Sequence, residues 1–217
     1  MESLTRRASL KALLAVCAWG ASACLPSQSK GGGLSKPGSA LQPYERLAQT
    51  SSQAKAAISS PHIENVATYF AQAENWLAAM EYAYDNSPAD IRLVFVNYGP
   101  MNAITYNDDA WSRLQLGDLL HVRDQASGHA ATRNPFASKV SELQERHCVF
   151  LACNNSLQGH VRLAMSSGKA VAGSFEDVVA YLQSALLPSV YLVPAGIAEV
   201  TRLQQRGYPY FFVPREF

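Results

Sequence analysis

From Tyr44 onward, short apolar runs alternate with longer segments whose apolar positions recur every three or four residues. Tyr44 to Ile58 is predicted as a lead-in helix. Asn65 to Phe70 is predicted as a strand, because Val66, Thr68, Tyr69 and Phe70 favour β structure. Ala71 to Tyr84 carries Ala73, Trp76, Leu77, Met80 and Tyr84 at helical spacing. Ile91 to Val96 is apolar at nearly every position, the mark of a strand buried on both faces. Asn107 or Asp108 can cap a helix running through Leu116. Residues 122–135, rich in Gly, Asn, Ser and charge, are expected as a long loop. Lys139 to Arg146 follows as a helix and Cys148 to Ala152 as a second buried strand. Asn154 to Met165 and Phe175 to Leu187 are helical, the second stopped by Pro188. Val190 to Val193 is a strand, Ala195 to Arg206 a helix ended by Gly207, and Tyr210 to Val213 a last strand. Strands separated by helices imply right-handed βαβ units, hence an α/β domain with a mostly parallel sheet of about five strands.

The first forty residues follow neither period and are expected to be an address. Thr5-Arg6-Arg7-Ala8-Ser9-Leu10-Lys11 matches a twin-arginine export motif, with Ser9 where Phe is usual. An apolar stretch follows and ends in Ala21-Ser22-Ala23, a small-x-small cleavage site. The apolar run Ala12 to Cys24 is well short of the ~20 residues that a membrane-spanning helix needs. Cleavage after Ala23 fits a standard signal peptidase, and the same bond fits a lipoprotein peptidase that leaves Cys24 acylated. Pro26 to Pro43 is dominated by Ser, Gly, Lys and Pro, as in a flexible tether. The organisation expected is therefore a signal peptide over 1–23, a linker over 24–43 and one α/β domain over 44–217. The mature protein is expected in the periplasm, meeting the membrane only through a lipid on Cys24.

Composition narrows the function classes. Apolar residues are 48% of the chain and charged residues 16%, enough to bury a core. The formal net charge is +1, and loss of 1–23 removes three basic groups and one acidic group. A near-neutral chain of this kind excludes a polybasic nucleic-acid binder. Neither GxGxxG nor GxxxxGK[ST] stands at a strand end, so nucleotide phosphate binding has no sequence support, and no cofactor is expected. The four cysteines form no CxxC pair, and His121 and His129 flank a loop without a third ligand, so no metal site is expected.

In a parallel sheet, function collects at the carboxyl edge, where helix amino-termini carry positive potential. Asn97-Tyr98-Gly99-Pro100 and Cys153-Asn154-Asn155-Ser156 fall there. Cys148 opens the strand that Cys153 closes, which puts them roughly 16 Å apart, beyond the reach of a disulfide. Cys148 reads as a small core hydrophobe. Cys153, at a strand end before a helix, has the placement of a nucleophilic or sulfur-carrying cysteine, or of one more packed thiol. Tyr98, Gly99, Asn102, Asn154 and Asn155 are the candidate substrate-binding residues beside it. The alternatives are that Gly99-Pro100 is a turn and that the two asparagines cap the helix. Arg133-Asn134 can reach an anion, or simply be solvated. Asp108-Asp109 reads as helix-capping charge, and Pro194-Ala195-Gly196 as a βα turn.

The domain from about Ala54 resembles the DsrE/DsrF-like family, particularly its exported members. The matching segments are Ala73-Glu74-Asn75-Trp76-Leu77, Tyr98-Gly99-Pro100-Met101-Asn102-Ala103, Tyr106-Asn107-Asp108 and Ala131-Thr132-Arg133-Asn134-Pro135-Phe136. They continue through Val149-Phe150-Leu151-Ala152-Cys153-Asn154-Asn155, Leu186-Leu187-Pro188, Val193-Pro194-Ala195-Gly196 and Arg202-Leu203-Gln204-Gln205-Arg206-Gly207-Tyr208. The resemblance implies a flavodoxin-like three-layer sandwich and a homo-oligomer, trimeric or hexameric. It also implies a cysteine that carries sulfane sulfur as a persulfide between a donor and an acceptor protein, and Cys153 stands at that position. The expected function is thus periplasmic sulfur handling through Cys153. The alternative is a non-catalytic ligand-binding or assembly module of the same fold. A thiol redox enzyme fits less well, because no resolving cysteine is within reach of Cys153.

Overall fold

The structure, a computed structural model, describes residues 52–168 and 171–215. The expected signal peptide, the linker with Cys24, and the part of the lead-in helix before residue 52 lie outside the described residues.

Five strands form one sheet: β1 (Ala54–Ser59), β2 (Ile91–Asn97), β3 (Val149–Cys153), β4 (Val190–Val193) and β5 (Tyr210–Phe212). Their order across the sheet is β4-β3-β2-β1-β5, and every neighbouring pair is parallel. The helices are α1 (Val66–Ala78), α2 (Asp108–Leu114), α3 (Leu116–Leu119), α4 (Ala137–Glu145), α5 (Asn154–Ser166), α6 (Phe175–Ser184) and α7 (Gly196–Gln205). Helices cover both faces of the sheet, so the chain forms the flavodoxin-like three-layer α/β sandwich expected.

Two expected elements change type. Ala54–Ser59 is a strand, where a helix was expected through Ile58. The sequence Ala-Lys-Ala-Ala-Ile-Ser has helical propensity and no alternation, but β1 lies between β2 and β5 and is buried on both faces. Tertiary pairing overrides propensity there. Conversely, Asn65–Phe70 is not a strand: Ile63–Asn65 is a 3-10 turn and Val66 begins α1. Tyr69, Phe70, Ala73 and Leu77 are the buried positions of α1, an i, i+3, i+4 stripe that outweighs the β preference of the individual residues. The helix then widens into a π-helical turn over Ala79–Ala83, and Tyr84 beyond it is exposed instead of facing the core. The remaining expected elements are present with ends shifted by a few residues, among them the Asn107 cap, whose side chain accepts from the Ala110 N–H.

Topology explains why the two helical layers are unequal. The chain steps from β1 to β2, β3 and β4 in one direction, and right-handed crossovers place all the intervening helices on one face. The return from β4 to the far side of β1 runs the other way, so α7 lies on the opposite face. Phe95, Phe150, Ile58 and Leu93 therefore meet Tyr69, Trp111, Leu143 and Leu157 in the larger core. Val94, Val96, Leu151 and Val193 meet Val200 and Leu203 of α7 in the smaller one. Phe95 and Phe150 stack across β2 and β3 with ring centroids 4.3 Å apart. Phe150→Ala is expected to lower unfolding stability by about 3–5 kcal/mol in urea titrations, the usual cost of emptying a buried aromatic site. Ile197→Ala, on a side chain 70% exposed, should change it by less than about 0.5 kcal/mol.

Candidate functional site

The adjacent strands β3 and β4 send their chains to opposite faces, β3 into α5 and β4 into α7. In open α/β sheets such a switch point, at the carboxyl ends of the strands, is where ligands are held. Cys153-Asn154-Asn155 and Pro194-Ala195-Gly196 meet there, joined by a 3.3 Å bond from the Asn155 N–H to the Pro194 carbonyl.

Cys153 is the N-cap of α5. Its backbone is extended, and its Sγ accepts the Ser156 N–H at 3.4 Å. This corrects the expectation that Asn154 or Asn155 caps the helix; both lie inside its first turn. Cys153 is 4% exposed, and Cys148 and Cys153 are both free thiols. Cys148 packs in the larger core, and burial pushes its thiol up to about 12, against the opposing pull of Arg146 and Arg92. It is inert at neutral pH.

Asn102 is fully buried, in the 3-10 segment Gly99–Thr105. Its Oδ1 accepts the Cys153 N–H at 2.7 Å, and its Nδ2 donates to the Cys153 carbonyl at 3.2 Å and the Tyr106 hydroxyl at 2.7 Å. Its amide is therefore occupied by protein, and Asn102 positions Cys153 from behind. Gly99 has φ +57°, and a Cβ there would stand 3.2 Å from the Pro61 carbonyl oxygen, so the turn requires glycine. Its N–H donates to Ser156 Oγ at 2.8 Å, which ties this loop to the first turn of α5. Tyr98 is half-buried and packs on Gly196, where a Cβ would come within 3.0 Å of the Tyr98 Cβ. The Ser59 hydroxyl donates to the Tyr98 hydroxyl at 3.4 Å and shares a 2.7 Å bond with the Tyr210 hydroxyl. Asn154 Oδ1 accepts from Gln183, and Asn155 is exposed. Asn102 thus bonds Cys153 directly, Gly99 reaches it through Ser156, Asn154 and Asn155 follow it in α5, and Tyr98 packs on Gly196 at the start of α7.

Three residues outside that set complete the site. Ser156 links Gly99 to the Cys153 thiol. Tyr106 accepts from Asn102, so its own proton goes to His160 Nδ1, 3.1 Å away. That assigns the neutral His160 ring its proton on Nε2. Burial pulls His160 down to about 4, and the Gly99 backbone only partly offsets it. The available sequence signal was spacing: Cys153, Ser156 and His160 fall three and four residues apart, on one face of α5. Arg133, by contrast, is exposed and 3.9 Å from Asp108, while Asn134 is buried and donates to the Ile104 and Tyr106 carbonyls. Among the described residues, no group of three His, Cys, Asp or Glu side chains is placed to hold a metal ion.

No family model and no curated protein matches the chain. Among solved structures it is similar to a protein of unknown function, MTH1491, from Methanobacterium thermoautotrophicum. The TM-score is 0.45 at 18% identity, over 74% of this chain and 99% of that one.

Two outcomes are expected. Asn102→Ala strands the buried N–H and carbonyl of Cys153 and should cost about 2–4 kcal/mol in denaturant unfolding. His160 binds its proton more weakly folded than unfolded, so between its folded value of about 4 and its ordinary 6.5 the unfolded chain holds more protons. Its contribution is complete above pH 6.5 and declines as pH falls toward 4, by roughly 3 kcal/mol at most. His160→Gln should flatten that part of the stability–pH curve.

Proposed function

We propose that the protein is a DsrE-like sulfur-handling protein that accepts and passes sulfane sulfur through Cys153. The observation that carries the reading is the position of the Cys153 Sγ, capping α5 at the switch point with the Ser156 N–H directed at it. The Ser156 N–H and the amino-terminus of α5 face the sulfur there, the placement in which a nucleophilic cysteine is found. In the forward step, the Cys153 thiolate attacks the sulfane sulfur of a polysulfide or thiosulfate. A new S–S bond forms on Cys153, the donor's S–S bond breaks, and the electron pair leaves on the shortened polysulfide or on sulfite. An acceptor thiolate then attacks the outer sulfur of the Cys153 persulfide and returns Cys153 as thiolate. Asn102 and Ser156 fix the backbone and side chain of Cys153 through both steps, and Tyr98, Asn154 and Asn155 border the approach. The same proposal includes twin-arginine export to the periplasm, acylation at Cys24, donor and acceptor proteins, and assembly as a trimer or hexamer.

The 4% exposure of Cys153 favours a second reading, a non-catalytic ligand-binding or assembly module of the same fold in which Cys153 is a packed N-cap. Mass spectrometry after incubation with polysulfide or thiosulfate separates the two. A gain of one sulfur is expected in the wild type and in Cys148→Ser, and none in Cys153→Ser. Absence of the adduct from wild-type protein with either donor rejects the carrier reading in favour of the module.

A further inference from the structure

At the amino edge of the sheet, opposite Cys153, a cleft of about 180 Å³ lies between the starts of β2, β3 and β4. It is lined by Arg92, Gln144, His147, Cys148, Val149, Ser189 and Tyr191, none of them acidic. His147 and Ser189 hold left-handed backbones, φ +63° and +57°, at the turns that lead into β3 and β4. Strained turns of this kind on a cleft rim are characteristic of binding surfaces.

Arg92 is the charged group of the cleft. Its Nη1 donates to the His147 carbonyl at 2.9 Å, which fixes the guanidinium plane, while its buried Nε–H has no partner. Arg146 adds positive charge beside Cys148, although it pairs with Glu81 at 2.9 Å. The volume falls below the roughly 300–1,000 Å³ of organic-ligand pockets, so the cleft suits a group of a few heavy atoms. The terminal Nη groups of a planar guanidinium held in this way favour an oxyanion, which they can bind through two parallel bonds.

We propose that this cleft binds a small inorganic oxyanion of the phosphate or sulfate class, with Arg92 as its principal ligand and His147 and Ser189 on its rim. The site is independent of Cys153 and lies at the other edge of the sheet.

The test is a titration of the purified full chain with inorganic phosphate and with sulfate, followed by amide NMR shifts, with sodium chloride at matched ionic strength as control. Saturable shifts at His147, Cys148 and Ser189 are expected with either oxyanion and not with chloride. Arg92→Gln should weaken binding at least about tenfold. Because that change also removes the bond to the His147 carbonyl, Ser189→Asp is the second variant. It leaves Arg92 and its bond in place, suits a left-handed backbone, sets a carboxylate on the rim and should weaken binding to a similar degree. The absence of saturable shifts in the wild type overturns the proposal, as do shifts centred on the Cys153 edge or wild-type affinity in both variants.

Discussion

At the carboxyl end of β3 the sheet runs short of partners. β2 pairs with β3 only as far as Asn97 opposite Ala152, and the chain then leaves through Tyr98 and Gly99 into a 3-10 segment. The N–H and carbonyl of Cys153 on that side would be unpaired in a place closed to water. Asn102 supplies the missing rung: its side-chain amide gives and takes the two bonds that a continuing β2 would have made. The site depends on this substitution of a side chain for a strand, because it fixes where β3 ends and α5 begins, and therefore where the Cys153 thiol stands.

The same amide anchors a buried polar chain. Asn102 donates to Tyr106, Tyr106 donates to His160, and the Gly99 loop is bound to α5 through Ser156. Networks of this kind are stable when every member is satisfied and costly when one is removed. Burial keeps the His160 ring neutral. The network lies on the heavily covered side of the sheet. Among the described helices α7 alone covers the other, where Tyr98 rests on Gly196 and the smaller core is formed.

Much of the fold was legible in single elements. Ile91–Asn97 and Val149–Cys153 are apolar at nearly every position, and only a strand buried on both faces demands that. Asn107 before Asp108-Asp109 and Gly207 at φ +78° mark a helix start and a helix end by local chemistry that needs no tertiary context. The placement of Cys153 followed from its position between an apolar run and a helical period. Ala54–Ser59 and Val66–Phe70 were misread for opposite reasons: the strand is made of good helix formers and the helix begins with good strand formers. In each, long-range packing outweighed a propensity difference of less than about 1 kcal/mol per residue.

By itself the sequence determined the class of fold, four of the five parallel strands, and the cysteine at the head of α5, because periodicity, caps and breakers act between residues near in sequence. Only the tertiary structure decided that Ala54–Ser59 became β1, between β2 and β5, that Asn102 holds Cys153 instead of facing a ligand, and that Tyr106 and His160 stand behind it. It alone brought Arg92, His147 and Ser189 into one cleft at the opposite edge. The site bonds and the cleft residues are 42 to 97 positions apart, and the strand order that brings them together is set by the handedness of the crossovers and the burial of both sheet faces, neither of which is written in any local stretch of the chain.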